Sequence, residues 1–392
     1  MKQSTYLIIS LVVALLLIAV WVYLLFFSTP KDPKDVWNNF GLGGDEDIGI
    51  IIPPPIVDAE EPVVNLDRHR LRQLTTKPVI GFTEVMTATT TPPVLYYAEA
   101  GTGHIFTINL KTGAEERISN TTVAEASYAA FSPQGTLVAL RSKNDRRANS
   151  FAWQRLGTTT SPLNLVEVQA YTFKVLNDNE LLYSARTTTG LTSYALNLST
   201  KVAKEIFTVP FFEASIVWGS TTQSKHYAYP KPTFALEGYL YEFSKGTMSR
   251  SSVDGFGLTA FITPGHIIYN RLANYKPESY IQKKGTTTSE LSPIIMLPEK
   301  CTGSTVDQNT AWCGYEITQT PAEFPDAWYR GLSSYTDSIW EVNLSAQSAT
   351  PLVETLSESG RAIDITRMTV GPSEQALYFI NKNDNTLWMY EL

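Results

Sequence analysis

From residue 65 onward, the sequence repeats one pattern of short strands and tight turns about every 45 residues. The strands are runs of β-branched and aromatic residues, which favour sheets, and their apolar residues do not follow a helical spacing. A period of this size is typical of propeller blades and related arrays, in which each unit buries its apolar face against its neighbours. The pattern therefore predicts an all-β repeat domain over 65–392.

Seven such units can be counted along this domain. The last unit, TRMTVGPSEQALYFINKNDNTLWMYEL, stops after its third strand, whereas residues 70–74 match the fourth-strand pattern of the other units. Pairing of 70–74 beside 386–391 would close the ring and remove the edge strands that invite aggregation. We therefore predict a seven-bladed β-propeller, with six or eight blades as alternatives because the sixth unit is long and irregular.

One turn in the second unit carries a family resemblance. The segment FSPQG at 131–135 resembles the F-S-P-D-G turn of TolB-like and WD-repeat-like propellers, with Gln134 where that family usually has Asp. By pattern the resemblance covers roughly 80–320. The whole arrangement is similar to uncharacterised bacterial proteins with one N-terminal anchor and an extracytoplasmic propeller. The resemblance implies a propeller fold and a binding or scaffold role. It assigns no catalytic residues to this sequence.

A long apolar run precedes the repeats. Residues 6–27 read YLIISLVVALLLIAVWVYLLFF, and no charged residue lies between Lys2 and Lys31. A helix of this length would measure about 33 Å, enough to cross a hydrocarbon core of about 30 Å. A cleaved signal peptide usually has a shorter apolar region that ends at a small-x-small site. We therefore expect a short tail at 1–5 and an uncleaved transmembrane signal anchor at 6–27.

The segment at 28–64 is rich in Pro and Gly, which break regular structure, and it predicts a linker that holds the propeller off the membrane. Lys and Arg residues near the two ends of the apolar run are nearly balanced in number. We favour a propeller on the extracytoplasmic side, because signal anchors with a very short N-terminal tail usually insert that way. An inward-facing propeller scaffold stays an alternative.

Charge and motifs argue against several functions. The chain carries 31 Lys and Arg against 38 Asp and Glu, a net charge of −7, which repels the phosphate backbone of nucleic acids. It contains two Cys and four His, and the motifs of serine hydrolases, zinc proteases and phosphate loops are missing. We therefore predict no catalytic residues, no metal and no cofactor. Paired carboxylates that act across blades cannot be recognised in one sequence, so a glycan hydrolase is kept as an alternative.

The two cysteines, Cys301 and Cys313, lie on either side of a turn centred on Asp307. On adjacent antiparallel strands such residues would face each other within disulfide range. We expect a disulfide if the domain lies outside the cytoplasm, and two buried thiols otherwise. The segment 305–312 also partly resembles the Asp-box of sialidase-type propellers, which is itself a structural hairpin.

In a propeller, the loops between second and third strands share one face with the connections between blades. Three consecutive units place aromatic residues in these loops, the longest being the segment 316–336. Because Trp, Tyr and Arg are enriched at binding hot spots, we predict that this face binds a cell-envelope protein, peptide or glycan. The alternative is that the aromatic residues pack onto their own blades, and a basic loop with Lys143, Arg146 and Arg147 is read as solvated charge. The predicted partner-binding residues are Tyr229, Phe234, Tyr275, Phe324, Trp328, Tyr329 and Arg330.

Overall fold

The structure is a computed structural model that describes residues 16, 70–85, 93–143, 151–157, 162–166, 168, 170–316 and 323–392. The chain divides into two units, Met1–Glu61 and Pro62–Leu392. The segment predicted to cross the membrane lies outside the described residues apart from Leu16, and the predicted linker lies outside them entirely. Within the described ranges, no helix is long and apolar enough to cross a bilayer.

The described strands form seven four-stranded antiparallel sheets, so the seven-bladed propeller is confirmed. In each of the first six blades the four strands follow one another along the chain. The strands of blades 1 to 3 are β2 Val79–Val85, β3 Val94–Glu99, β4 Ile105–Asn109, β5 Glu115–Ser119, β6 Ala126–Phe131, β7 Leu137–Ser142, β8 Phe151–Arg155, β9 Asn164–Val166, β10 Ala170–Asn177, β11 Glu180–Thr187, β12 Gly190–Asn197 and β13 Ala203–Val209. Those of blades 4 to 7 are β14 Ala214–Val217, β15 His226–Pro230, β16 Glu237–Ser244, β17 Thr247–Phe256, β18 Thr259–Ile262, β19 His266–Ala273, β20 Lys276–Lys283, β21 Ser289–Leu291, β22 Cys301–Gly303, β23 Thr310–Tyr315, β24 Ser338–Asn343, β25 Ser348–Glu354, β26 Ile365–Val370, β27 Ala376–Asn381, β28 Leu387–Glu391 and the N-terminal β1 Leu71–Gln73.

Blade 7 is completed by a strand from the other end of the domain. β1 pairs with β28 in antiparallel register, with Leu71 opposite Tyr390 and Gln73 opposite Trp388. Arg72 of β1 also forms an ion pair of 3.0 Å with Glu391. The predicted closure of the ring by residues 70–74 is therefore confirmed.

The apolar core lies between neighbouring blades, since each sheet has apolar side chains on both faces. One cluster joins Leu95 and Tyr97 of blade 1 to Tyr378 and Met389 of blade 7, and all four are buried. All six residues of β27 are buried, as expected for a strand covered on both sides. Closure of the ring therefore gives blade 7 the same two-sided burial as the other blades.

Successive antiparallel strands make alternate connections emerge at the same end of the sheets. The loops between second and third strands and the links between blades therefore share one side, which we call the loop face. Two short helices lie here, α1 (Asp326–Tyr329) within the long blade 6 loop and α2 (Thr355–Ser359) in the link to blade 7. A 3₁₀ helix, Pro298–Lys300, occupies the link between blades 5 and 6.

Candidate functional site

The long loop of blade 6 packs onto the loop face through its own small apolar cluster. Phe324 and Trp328 are buried against Leu297, which belongs to the link between blades 5 and 6. Partly buried Leu272, Ile295, Tyr329 and Tyr335 surround this cluster. We call residues 323–337 the insert, and this packing fixes its position on the propeller.

A buried charge network holds the base of the insert. The Lys300 ammonium donates to Asp364 at 2.6 Å and also to Asp337, and all three side chains are almost fully buried. Asp337 accepts a further hydrogen bond of 2.7 Å from the Ile365 backbone amide. Because the lysine has two carboxylate partners, its burial is compensated by opposite charge.

Trp328 connects the insert to this network. Its indole N–H donates to both carboxylate oxygens of Asp364, each at 3.0 Å. The Lys382 ammonium donates to the Trp328 carbonyl at 2.8 Å and lies 4.5 Å from the centre of the indole ring. A lysine over an indole is a favourable cation–π arrangement, so Trp328 is held from both sides.

Burial raises the pKa of the Asp337 carboxyl to about 6, although Lys300 lowers it. The second carboxylate, Asp364, adds to the rise because two neighbouring negative charges repel each other. This network therefore contains a group that titrates near neutral pH.

A second polar group, Glu299, stands beside the network and borders open space. The Tyr329 hydroxyl donates to the Glu299 carboxylate at 2.9 Å. Glu299 is partly buried, and this burial raises the pKa of its carboxyl. Burial and the neighbouring Glu299 together raise the pKa of Tyr329.

The structure places the predicted partner-binding residues in two different environments. Tyr229 lies within β15 and is buried, and Phe324 and Trp328 are buried in the cluster beneath the insert. The expected surface position of these three residues is wrong, because Tyr229 packs in the core between blades 4 and 5 and the other two rings pack between the insert and the blades. The aromatic residues thus divide between packing and exposure, whereas sequence reasoning treated them as one group.

The remaining predicted residues stay accessible on the loop face. Tyr275 is 88% exposed, and Phe234 and Tyr329 are partly exposed. Arg330 is exposed and forms a surface ion pair of 2.7 Å with Glu323. The binding role of these residues stays a prediction.

Direct contacts connect the loops of blades 4 and 6. The Phe234 backbone amide donates to the Asp326 carboxylate at 2.6 Å, so the blade 4 loop is attached to α1. In blade 5, Asn274 and Tyr275 form a two-residue hairpin with φ values of 51° and 63°. A tight two-residue hairpin of this type requires positive φ at both central residues, and it leaves the Tyr275 side chain at the tip of the loop.

Cys301 and Cys313 are joined by a disulfide within blade 6, with their Cα atoms 4.1 Å apart. The strand register places the two residues directly opposite each other on β22 and β23. The turn between them is stabilised by Asp307, which accepts hydrogen bonds from the Asn309 amide at 3.0 Å and the Thr310 hydroxyl at 2.7 Å.

A cavity of about 270 Å³ opens beside the insert. Blades 1, 2 and 7 supply its walls together with Glu299, Trp328 and Tyr329. Within the described part of the chain, no group of three or more His, Cys, Asp or Glu residues could hold a metal ion. The other lining residues are Val79, Ile80, Ser127, Thr366, Arg367, Ile380, Lys382 and Asn385.

A larger groove of about 860 Å³ lies on the opposite side, between blades 3 and 4. It is bordered by the turns at 199–202, 221–224 and 244–246, and it contains His226, which is buried. His226 accepts a hydrogen bond of 3.1 Å from the Gly219 amide, and burial lowers the pKa of its imidazole. The neutral ring therefore serves to hold this turn.

The fold places the chain among seven-bladed β-propellers. It is similar to the β-propeller domain of the Trilobed protease from Pyrococcus furiosus, with a TM-score of 0.50 and 12% identity over 79% of this chain and 93% of that one. It is also similar to oligogalacturonate lyase from Vibrio parahaemolyticus, with a TM-score of 0.53 and 11% identity over 84% of this chain and 95% of that one. An oligogalacturonate lyase in complex with manganese gives a TM-score of 0.53 and 11% identity, covering 82% and 93%.

Identities this low show the fold alone. The Pyrococcus furiosus propeller has an open velcro topology, whereas here β1 completes blade 7. No family model and no curated protein matches the sequence.

The residues that fix the insert were missed by sequence reasoning. Lys300, Asp337 and Asp364 come from three separate loops, and Glu299 lies in a link that has no recognisable motif. No local pattern in the sequence could have shown that these side chains meet.

Proposed function

We propose that this protein is a binding propeller of the cell envelope whose loop face takes a protein, peptide or glycan partner. The observation that carries the proposal is a set of exposed apolar residues on this face. Tyr275, Leu332 and Leu236 are 88%, 70% and 68% exposed, and they come from the loops of blades 5, 6 and 4. Exposed apolar groups that cluster on one face favour an interaction surface.

The insert gives this surface a fixed shape. Its buried Trp328 and the Lys300 network hold it on the propeller, so few conformations have to be given up on binding. We propose that residues 6–27 anchor the protein in the membrane and that the propeller lies outside the cytoplasm. The disulfide between Cys301 and Cys313 supports this side, because such bonds persist in oxidising compartments.

A photo-crosslinking amino acid at position 275 of the full-length protein tests the surface in its native envelope. We expect one discrete crosslinked product at Tyr275, which disappears when Leu236 and Leu332 are replaced with Ser. The control position is Val202, which is 62% exposed on the opposite side of the propeller. The same product from both positions, or from neither, would contradict a binding role of the loop face.

The side of the membrane is tested with an introduced thiol, since the native cysteines are bonded to each other and buried. Thr200 lies in an exposed turn, so an impermeant thiol reagent should label Thr200→Cys on intact cells. Labelling only after lysis would support the inward-facing scaffold instead.

A glycan hydrolase is the second candidate, and Glu299 is the observation that favours it. Its carboxyl has a raised pKa and borders the cavity with Tyr329 and Arg367, as expected of a general acid. Glycoside hydrolysis usually needs two carboxyl groups about 5–9.5 Å apart, and Glu299 is the sole carboxylate among the described residues that line this cavity. Glycan turnover that Glu299→Gln abolishes would establish an enzyme; its absence would leave the binding role.

A further inference from the structure

Two arginines lie over the same aromatic ring near the cavity. The Arg141 guanidinium, on β7, lies 5.2 Å from the centre of the Tyr128 ring, and that of Arg367, on β26, lies 4.8 Å from the same point. The arginines belong to blades 2 and 7, so Arg367 reaches past blade 1 to this ring. Two positive charges thus share one aromatic partner.

Neither arginine has an acidic partner among the described residues. Arg141 donates to the Tyr171 carbonyl at 2.6 Å, and Arg367 donates to the Ile80 carbonyl. Burial lowers the pKa of both guanidinium groups, and the positive charge of Arg141 lowers that of Arg367 further. A backbone carbonyl satisfies one N–H group, but it does not neutralise a charge. Both side chains are partly buried, and a charge that is partly withdrawn from water is stabilised by a partner of opposite sign, so this arrangement favours an external anion.

The backbone at Arg367 is also unusual. Arg367 has a φ of 52°, and the strand register shifts between Thr366 and Thr369, which marks an irregularity in β26. Irregularities of this kind redirect side chains and are frequent next to functional sites. A left-handed conformation at a residue other than Gly costs free energy, and such strain clusters at ligand sites.

The cavity itself suits a small polar molecule. Its volume of about 270 Å³ equals that of about nine water molecules, at about 30 Å³ each. Arg367 and Lys382 supply positive charge, while Ser127 and Asn385 supply groups that can bond to hydroxyls. Glu299 lines the cavity too, and burial raises the pKa of its carboxyl.

We propose that this cavity binds a small hydroxylated carboxylate and that Arg367 contacts the carboxylate group. The planar fork of a guanidinium matches the two oxygens of a carboxylate, which gives both charge and orientation. The nearby Arg141 adds to the positive potential at Arg367. The site is separate from the exposed apolar surface, so the crosslinking outcome at Tyr275 does not decide it.

Calorimetric titration of the purified full-length protein in detergent tests the site with two matched probes. D-gluconate carries a carboxylate where D-sorbitol carries a hydroxymethyl group, on the same carbon skeleton. We expect gluconate to bind and sorbitol to bind at least about tenfold more weakly, since hydrogen bonds between charged groups are stronger than those to a neutral hydroxyl. Equal binding of the two probes, or binding of neither, would overturn the proposal.

Variants then locate the bound group. Arg367→Gln should reduce gluconate affinity at least about tenfold, and Arg367→Lys should reduce it less because the charge is kept without the fork. The matched control is Arg250→Gln, since Arg250 is exposed on β17 and paired with Asp254 at 3.0 Å. Gluconate should also raise the melting temperature of the wild type but not of Arg367→Gln, which reports binding even if a variant is less stable.

Inorganic phosphate serves as the third probe. Binding of phosphate without gluconate would overturn the assignment of a carboxylate. Unchanged gluconate affinity in Arg367→Gln would likewise overturn the role of this arginine.

Discussion

Two groups of enclosed positive charge lie near the loop face, and they are balanced in opposite ways. Lys300 contacts two buried carboxylates, Asp337 and Asp364, and the network has no need of a ligand. Arg141 and Arg367 share the Tyr128 ring and have no acidic partner among the described residues. The difference separates a charge that holds the structure together from a charge that is available to bind. The two groups also differ in burial, since Lys300 is 3% exposed whereas both arginines are partly exposed.

Replacement of Lys300 should have the largest effect on stability. In Lys300→Met, Asp337 and Asp364 would be buried together without a positive partner, so we expect the free energy of unfolding to fall by about 3–5 kcal/mol. Urea titration followed by tryptophan fluorescence measures the change. Lys276→Met is the control, because Lys276 is exposed at the start of β20. Similar values for the two variants would show that the network contributes little.

The next effect concerns the hydrogen bond by which Trp328 of the insert contacts Asp364 of the charge network. Trp328→Phe removes the N–H donor to Asp364 and should lower the free energy of unfolding by about 1–3 kcal/mol. Trp312→Phe is a matched control, since the indole N–H of Trp312 is buried without a hydrogen-bond partner among the described residues. If both substitutions cost the same, the lost contact with Asp364 is not the cause.

Removal of an arginine from the second group should have a smaller effect on stability. Arg367→Gln loses one hydrogen bond to the Ile80 carbonyl but relieves the repulsion from Arg141, so we expect a change within about 1 kcal/mol. The same urea titration measures it. A loss as large as that of Lys300→Met would mean that Arg367 is structural and would remove the contrast between the two groups.

The last prediction concerns the pH dependence of stability. The folded pKa of Asp337, about 6, lies above its usual 3.8, so its contribution to stability is full below about pH 3.8 and is lost as the pH rises through about 6. His226 has a lowered pKa and gives the opposite trend, with stability lost as the pH falls below 6.5. The informative quantity is therefore the difference in melting temperature between wild type and Asp337→Asn from about pH 3.5 to 7, a range that spans both pKa values of Asp337.

Arg367→Gln serves as the control for this pH series, because an arginine stays charged throughout the range. It should keep the wild-type slope, whereas Asp337→Asn should lose the Asp337 part of it. A changed slope in Arg367→Gln would show that the two groups are coupled.

The sequence repeat predicted the blades because the strand pattern of each unit is visible in a short stretch of sequence. It also predicted the closing strand, because the last unit has only three strands. The pairing of 70–74 beside 386–391 followed from counting strands in the last unit, whereas the exact register, Leu71 opposite Tyr390, is given by the structure. The binding residues were harder to predict, since Trp328 and Tyr275 are both aromatic loop residues and only the fold shows that one is buried and the other exposed. The contacts of Lys300 and Arg367 were beyond prediction, because their partners come from other blades.

The closing strand also has a mechanical consequence. β1 spans three residues and is the first element of the ring that a pull on the preceding chain would reach. Its backbone bonds, the bond from Arg70 to the Glu391 carbonyl and the ion pair of Arg72 with Glu391 would be loaded one after another, as in peeling. Tension applied from the N-terminal side would therefore open the propeller at blade 7 before any other blade. The short strand β1 thus sets the mechanical resistance of the ring to such a pull.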